Sequence, residues 1–198
     1  MTVAEQTDYA ELVCELITRR QQVSPKRLTD PGPTTAQVAM LWKAAAQAPD
    51  HGLLLPWRLV EVSDRARHRL GEAFVQALLE RDCTATETQR AEARAKATRA
   101  PFLALAIARL GGDGHHEIPV TERLVSLGCA LQNMLLMAQA QGFGAGLVSG
   151  QAMDSAALRA LFSLTPNEKA VCFIVIGSVS KAKPSRVRPL AADFVTVL

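Results

Sequence analysis

A chain of 198 residues, 48% hydrophobic and 21% charged, carries enough apolar material for one domain with a buried core. Its formal charge of +3 is too small to argue for a nucleic-acid partner, which calls for a clustered basic stripe, but it suits a small anionic ligand. No apolar run reaches the roughly 20 residues of a membrane span, and the polar opening MTVAEQTDYAELV lacks the regions of a secretory signal, so we expect a cytoplasmic protein with no membrane partner.

In chain order, DYAELVCELITRRQ reads as a helix, with apolar residues at 9, 12, 13, 16 and 17. Asp8 is expected near its start, and Arg19 and Arg20 fall in its last turn, where cations suit the helix dipole. A proline-containing loop, QVSPKRLTDPGPT, follows. TTAQVAMLWKAAAQA reads as a second helix, capped by Thr34 or Thr35 and stopped before Pro49. A connector holding Asp50, His51 and Leu53 to Leu55 leads to Pro56 and the alternating strand WRLVEVS. DRARHRLGEAFVQALLERD is an amphipathic helix opened by Asp64. TETQRAEARAKATRA is a charged, exposed helix ended at Pro101.

FLALAIARL has the length of a strand, and GGDGHHEIP is a loop. VTERLVSLGCALQNMLLMAQAQG is the longest and most apolar helix, expected to be buried on most sides. FGAGLVS starts a strand. DSAALRALFSL is a short helix capped at Asp154 or Ser155, and KAVCFIVIGSV reads as a central strand. The tail is basic and then apolar, and its closing DFVTVL could add a strand to a sheet edge, on another subunit if not on its own. The pattern predicts an α/β or α+β chain with about four strands.

Several candidate sites fail on context. Gly142, Gly144 and Gly146 follow a helix and open a strand, the reverse of a dinucleotide fingerprint, and Gly142 is better read as the residue that ends the long helix. His115, His116 and Glu117 lack a second ligand pair at metal spacing and read as a solvated loop, so no metal centre is expected. Cys14, Cys83, Cys129 and Cys172 are scattered and expected to be buried or inert thiols. No nucleophile motif accompanies Asp50 and His51. The basic residues are more informative. Arg19 and Arg20 end the first helix, while Lys181, Lys183, Arg186 and Arg188 crowd the tail. Two such groups at opposite ends of a chain could converge on one phosphate.

Taken together, the helix ending in RR, the connector APDHGLLLPWR, the long helix closing in AQAQGFGAG, the strand FIVIGSV and the basic tail resemble the nitroreductase family of FMN-dependent oxidoreductases, most of all its small members. The resemblance implies an α+β sandwich with a mainly antiparallel central sheet flanked by helices. It implies one domain over 1–198 in a domain-swapped homodimer, with the tail from about 181 extending onto the partner subunit. It places Arg19, Arg20 and Gln21 on the FMN, and it brings Gln47 and His51 to the flavin from the other subunit. Leu147, Val148 and Ser149 would meet the ring, and Arg186 and Arg188 the phosphate. Segment 138 to 143 matches a stretch linked with nicotinamide.

By the same resemblance, NADPH or NADH is the electron donor. A nitroaromatic, quinone or similar electron-poor molecule is the acceptor, reduced by ping-pong turnover with no catalytic side chain. Arg19 or Arg20 would stabilise the negative charge of reduced FMN near N1 and O2. Gln21, Gln47, Leu55 and Val148 depart from the family pattern and predict fewer polar flavin contacts. Two alternatives share the fold: a flavin-binding protein with little reductase activity, and an FMN-dependent dehydrogenase or dehalogenase of another metabolite.

Overall fold

A computed structural model of the chain describes residues 3–184 and 187–198. Five strands form the sheet: β1 (Leu28–Thr29), β2 (Trp57–Glu61), β3 (Phe102–Arg109), β4 (Gly144–Val148) and β5 (Glu168–Val179). Their order is β1-β5-β3-β2, and β4 also pairs with β5. Every pairing between strands is antiparallel, with Leu105 opposite Phe173 and Gly146 opposite Val175. Among the described residues six α-helices surround it: α1 (Val3–Arg19), α2 (Thr35–Ala45), α3 (Asp64–Leu79), α4 (Glu87–Ala95), α5 (Val120–Ala140) and α6 (Ala156–Leu161). The class is α+β, as expected.

Alternation along the strands sends successive side chains to opposite faces and so builds two cores. On one face Ala104, Ala106 and Ala108 of β3 meet Leu41 of α2 and Leu127, Leu131, Met134 and Leu135 of α5. The small alanines let these helices approach the sheet closely. On the other face Leu103, Leu105 and Ile107 join Phe173 and Val175 against Leu70 of α3 and Leu158 of α6. β5 is buried on both faces, which explains its unbroken apolar run. Trp57 opens the edge strand β2, is buried, and donates its indole N–H to Ser126 Oγ at 3.0 Å.

Some local expectations need correction. β1 lies inside the segment read as a loop, so the sheet has five strands. α1 begins at Val3, which puts Asp8 in its interior. α3 does open at Asp64 as expected, with Ser63 before it at the N-cap position. Of the paired candidates, Thr34 caps α2 in a capping box and Ser155 caps α6. α5 is buried along one face only, leaving Val120, Leu124 and Val125 exposed. The α1 stripe is helical as expected, yet Tyr9, Leu12, Val13 and Ile17 face outward. The segment after Leu190 forms a short helical turn at Ala191–Asp193 and no strand. Cys14 and Cys83 are exposed, whereas burial pushes the Cys172 thiol up to about 11. Among the described residues no helix is long and apolar enough to cross a membrane.

Candidate active site

The two basic groups meet. Arg20, Gln21 and Gln22, just past α1, and Lys183 and Arg188 of the tail line one small cavity of about 100 Å³. A terminal nitrogen of Arg188 lies 3.5 Å from the Arg20 carbonyl oxygen, joining segments 168 residues apart. Among the described residues none of these three cations has a carboxylate partner, so their remaining donors can meet an anion. Arg19 is not part of it: its side chain is exposed and pairs with Glu15 at 2.7 Å. Lys183, noted only as one of the tail cations, lines the cavity. Arg186 lies outside the described residues.

The cavity is held against β4 by a contact that sequence reasoning missed. Gln22 donates its amide to the Leu147 carbonyl at 2.6 Å and accepts from the Leu147 N–H at 3.1 Å. The Val23 N–H donates to the Ala145 carbonyl at 2.9 Å. Residues 22–23 therefore pair along the β4 edge like a short parallel strand. Gly146 makes this possible, because a Cβ there would stand 2.3 Å from the Val23 carbonyl oxygen. Gly142, with φ of +83°, ends α5 in the left-handed conformation as expected.

A second cavity, of about 400 Å³, opens at the end of β4. Val148 and Ser149 line it, with Phe74, Leu103, Phe173 and Val175 as apolar walls. Gln22 of the small cavity is hydrogen-bonded to Leu147, the strand neighbour of Val148 and Ser149 in the larger one. Among the described residues no group of three His, Cys, Asp or Glu side chains is placed to hold a metal ion.

Gln47 and His51 are elsewhere. Gln47 is exposed just after α2. The His51 ring nitrogen Nδ1 sits 2.7 Å from Glu122 at the start of α5. Neither residue lines either cavity. The connector between them is shaped by Asp50, whose carboxylate accepts the Leu55 N–H at 2.7 Å. This turn places Leu53 (φ +55°) and Leu55 (φ +49°) in the left-handed region, which a branched side chain disfavours. Leu53 is 89% exposed, so it gains little burial in return within the chain. Leu53→Gly should therefore stabilise the fold by about 1 kcal/mol, a rise of a few degrees in melting temperature. An unchanged or lower midpoint by calorimetry would show that the leucine is held by contacts.

The loop 111–118 is likewise anchored by a residue with no sequence signal. Arg123 is 1% exposed and pairs with Asp113. It also donates to the Ile118 and His115 carbonyls at 3.1 and 2.8 Å. His115 and Glu117 pair with each other at the surface.

The nitroreductase family profile matches residues 19–178, from the end of α1 to the end of β5. The chain belongs to the nitroreductase family. It is an oxidoreductase by that membership. A candidate NAD(P)H nitroreductase of Haemophilus influenzae is 31% identical over 184 residues, covering 92% of this chain and 97% of that protein. One from Escherichia coli is 32% identical over 185 residues, with the same coverage. Among solved structures, a nitroreductase-like protein from Bacillus cereus superposes with a TM-score of 0.78 at 20% identity, covering 94% of this chain and 95% of that one. An FMN-dependent nitroreductase from Mycobacterium smegmatis, in complex with NADPH, gives 0.73 at 16% identity, covering 96% and 99%.

Proposed function

We propose that this nitroreductase-family chain binds FMN and transfers hydride from NADPH or NADH to a nitroaromatic, quinone or similar electron-poor acceptor. The observation that carries this reading is the convergence of Arg20, Lys183 and Arg188 on one small cavity beside the β4 edge. Three cations without carboxylate partners fit a phosphate monoester, and the apolar hollow beyond Val148 and Ser149 fits a planar ring system. The FMN-dependent, NADPH-bound relative of the same fold supports it.

When bound, FMN supplies the redox chemistry, accepting a hydride and later releasing it. The chain's own part is to hold and shield. Arg20, Lys183 and Arg188 would hold the phosphate, and Gln22 would fix the Leu147 peptide beside the ring. Val148 and Ser149 would border the ring, and Leu53 and Leu55 would exclude water from a partner's site. For a nitro group the overall change is R–NO2 + NAD(P)H + H⁺ → R–NO + NAD(P)⁺ + H2O. No side chain is required as acid or base in the hydride transfers. Arg19 does not line either cavity, so the phosphate role falls to Arg20.

The reading includes a homodimer. Apolar side chains face outward along the α1 stripe, at Leu124 and Val125 of α5, and at Leu190, Phe194 and Val195 of the tail. Apolar surface of this extent favours a second copy of the chain. In that arrangement Gln47 and His51 would serve the partner's flavin, and the tail would lie on the partner. Sedimentation should give the mass of a dimer, and a monomer at micromolar concentration would sink this part.

The purified protein should be yellow, and anaerobic NADPH or NADH should bleach its flavin band. Arg20→Ala combined with Arg188→Ala should weaken FMN binding by about a hundredfold, since each lost charged hydrogen bond costs about 1.5 kcal/mol. A colourless wild-type protein that ignores added FMN, or a double variant that retains FMN fully, would refute the assignment.

A further inference from the structure

We propose that Arg81, Lys96 and Arg99 hold the diphosphate of the dinucleotide donor at the mouth of the 400 Å³ cavity. This rests on the reading above, in which the flavin ring fills that cavity. The ring would take the apolar interior, where Leu103, Phe173 and Val175 are buried. The outer lining is of another kind. Arg81 lies just beyond α3 and Lys96 at the end of α4, and both are exposed. Arg99, in the turn before β3, is half-buried. A dinucleotide whose nicotinamide stacks on the ring keeps its phosphates outside the apolar interior, among these outer residues.

The charge at this mouth is unbalanced. Glu92 is the one carboxylate among the described lining residues, against three cations from separate turns of the chain. Among the described residues none of the three has an ion-pair partner, in a region where neighbouring Arg94 is paired with Glu72 at 2.6 Å. Arg81 spends only its Nε, which donates to the Ala77 carbonyl at 3.0 Å, leaving its terminal nitrogens for a ligand. Unpaired positive charge of this kind is complementary to an anion. The single phosphate of FMN is already met by Arg20, Lys183 and Arg188. Uncharged nitroarenes and quinones bring no anion at all. The donor always brings one, because NADH and NADPH share the same diphosphate. The cations therefore distinguish the donor from the acceptor that follows it onto the same ring. The reaction stays as balanced above: the donor gives up a hydride, and its diphosphate is unchanged.

The test follows anaerobic bleaching of the FMN-loaded protein by two donors. NADH carries the diphosphate, whereas 1-benzyl-1,4-dihydronicotinamide carries the same reducing ring and no charge. At limiting donor, the rate constant with NADH should fall as salt rises, and that with the neutral donor should hold. Lys96→Ala combined with Arg99→Ala should lower the ratio of the NADH rate to the neutral-donor rate by about a hundredfold, the worth of two charged hydrogen bonds. A ratio that the double variant leaves in place would overturn the proposal. So would an equal loss with both donors, since the cations would then serve the flavin or the fold. Calorimetry adds a readout without turnover, using ADP-ribose, which has the diphosphate and no nicotinamide. Titrated into the FMN-loaded protein, it should bind the wild type and lose at least about tenfold in affinity in the double variant. Equal binding by both proteins overturns the assignment. A protein that takes up no FMN sinks the flavin reading and this one with it, whereas a yellow protein with an unchanged ratio sinks the donor site alone.

Discussion

Gly146→Val is expected to dismantle the anion cradle and to destabilise the fold by about 3 kcal/mol. The glycine sits mid-strand opposite Val175, and an added Cβ would stand 2.3 Å from the Val23 carbonyl oxygen and 3.0 Å from the Gln22 amide nitrogen. The clash is with backbone, so no rotamer relieves it. Either β4 leaves β5 or residues 22–23 leave β4. The second costs fewer buried contacts, and it takes with it the two Gln22 hydrogen bonds to Leu147. Arg20 and Gln21 precede Gln22 directly, so they would move away from Lys183 and Arg188. The measurements are the urea midpoint and the fraction of flavin retained through gel filtration. A variant with wild-type flavin content and stability would show that the close approach at Gly146 is not required. Gln22→Ala makes the milder comparison, losing the tether without the clash.

Arg123→Ala should cost about 1–3 kcal/mol, the penalty for leaving buried carbonyl groups without a donor. The guanidinium is enclosed and donates to the Asp113 carboxylate and to the Ile118, Arg109 and His115 carbonyls, so its removal leaves those carbonyls without this donor. Arg123→Lys keeps the charge but not the fork, and should recover only part of the loss. The same pair predicts a pH dependence. Hydrogen bonds from Arg123 hold the Asp113 carboxyl well below the usual carboxylate range, and Arg58 lowers Glu168 in the same way. A depressed folded-state pKa means that the unfolded chain binds protons first. The stabilisation is therefore complete above the ordinary values, 3.8 for Asp113 and 4.5 for Glu168, and is lost as pH falls below them. Unfolding midpoints measured from pH 7 down to pH 3 should drop below about pH 4.5. They should drop less steeply in Arg123→Ala, and identical slopes would rule out the linkage.

The elements that are legible in the sequence are those whose signals are local. Thr34, Gly142 and the apolar run of β5 act through their own neighbours, and each does what its chemistry dictates. The missed features are non-local. Two residues of β1 carry no periodicity, and only their pairing with Ser178 and Val179 makes them a strand. Gln22 is one glutamine among several, and its role comes from Leu147, 125 residues away. Arg123 reads as a surface residue of α5 because its partner, Asp113, lies in a loop whose path carries no sequence signal. Charge in the sequence allows the α1 terminus and the tail to converge without requiring it, and the described cations Arg20, Lys183 and Arg188 line one cavity. Arg19, its neighbour, does not, since a one-residue step on a helix turns a side chain by about 100°. The α1 stripe is readable as a helix face but not as an outward one, because periodicity says which side is apolar and not what covers it.

The contact between Arg20 and Arg188 has a consequence for how the chain orders itself. It ties the tail to the end of α1 through a single long hydrogen bond between like-charged residues. Repulsion among three cations works against that contact, and a bound dianion would reverse the sign. At a concentration a hundred times its dissociation constant, such a ligand adds about 2.7 kcal/mol to the folded state. The cofactor would then act as a structural latch, and the order of the last segment would report its presence before any electron moved.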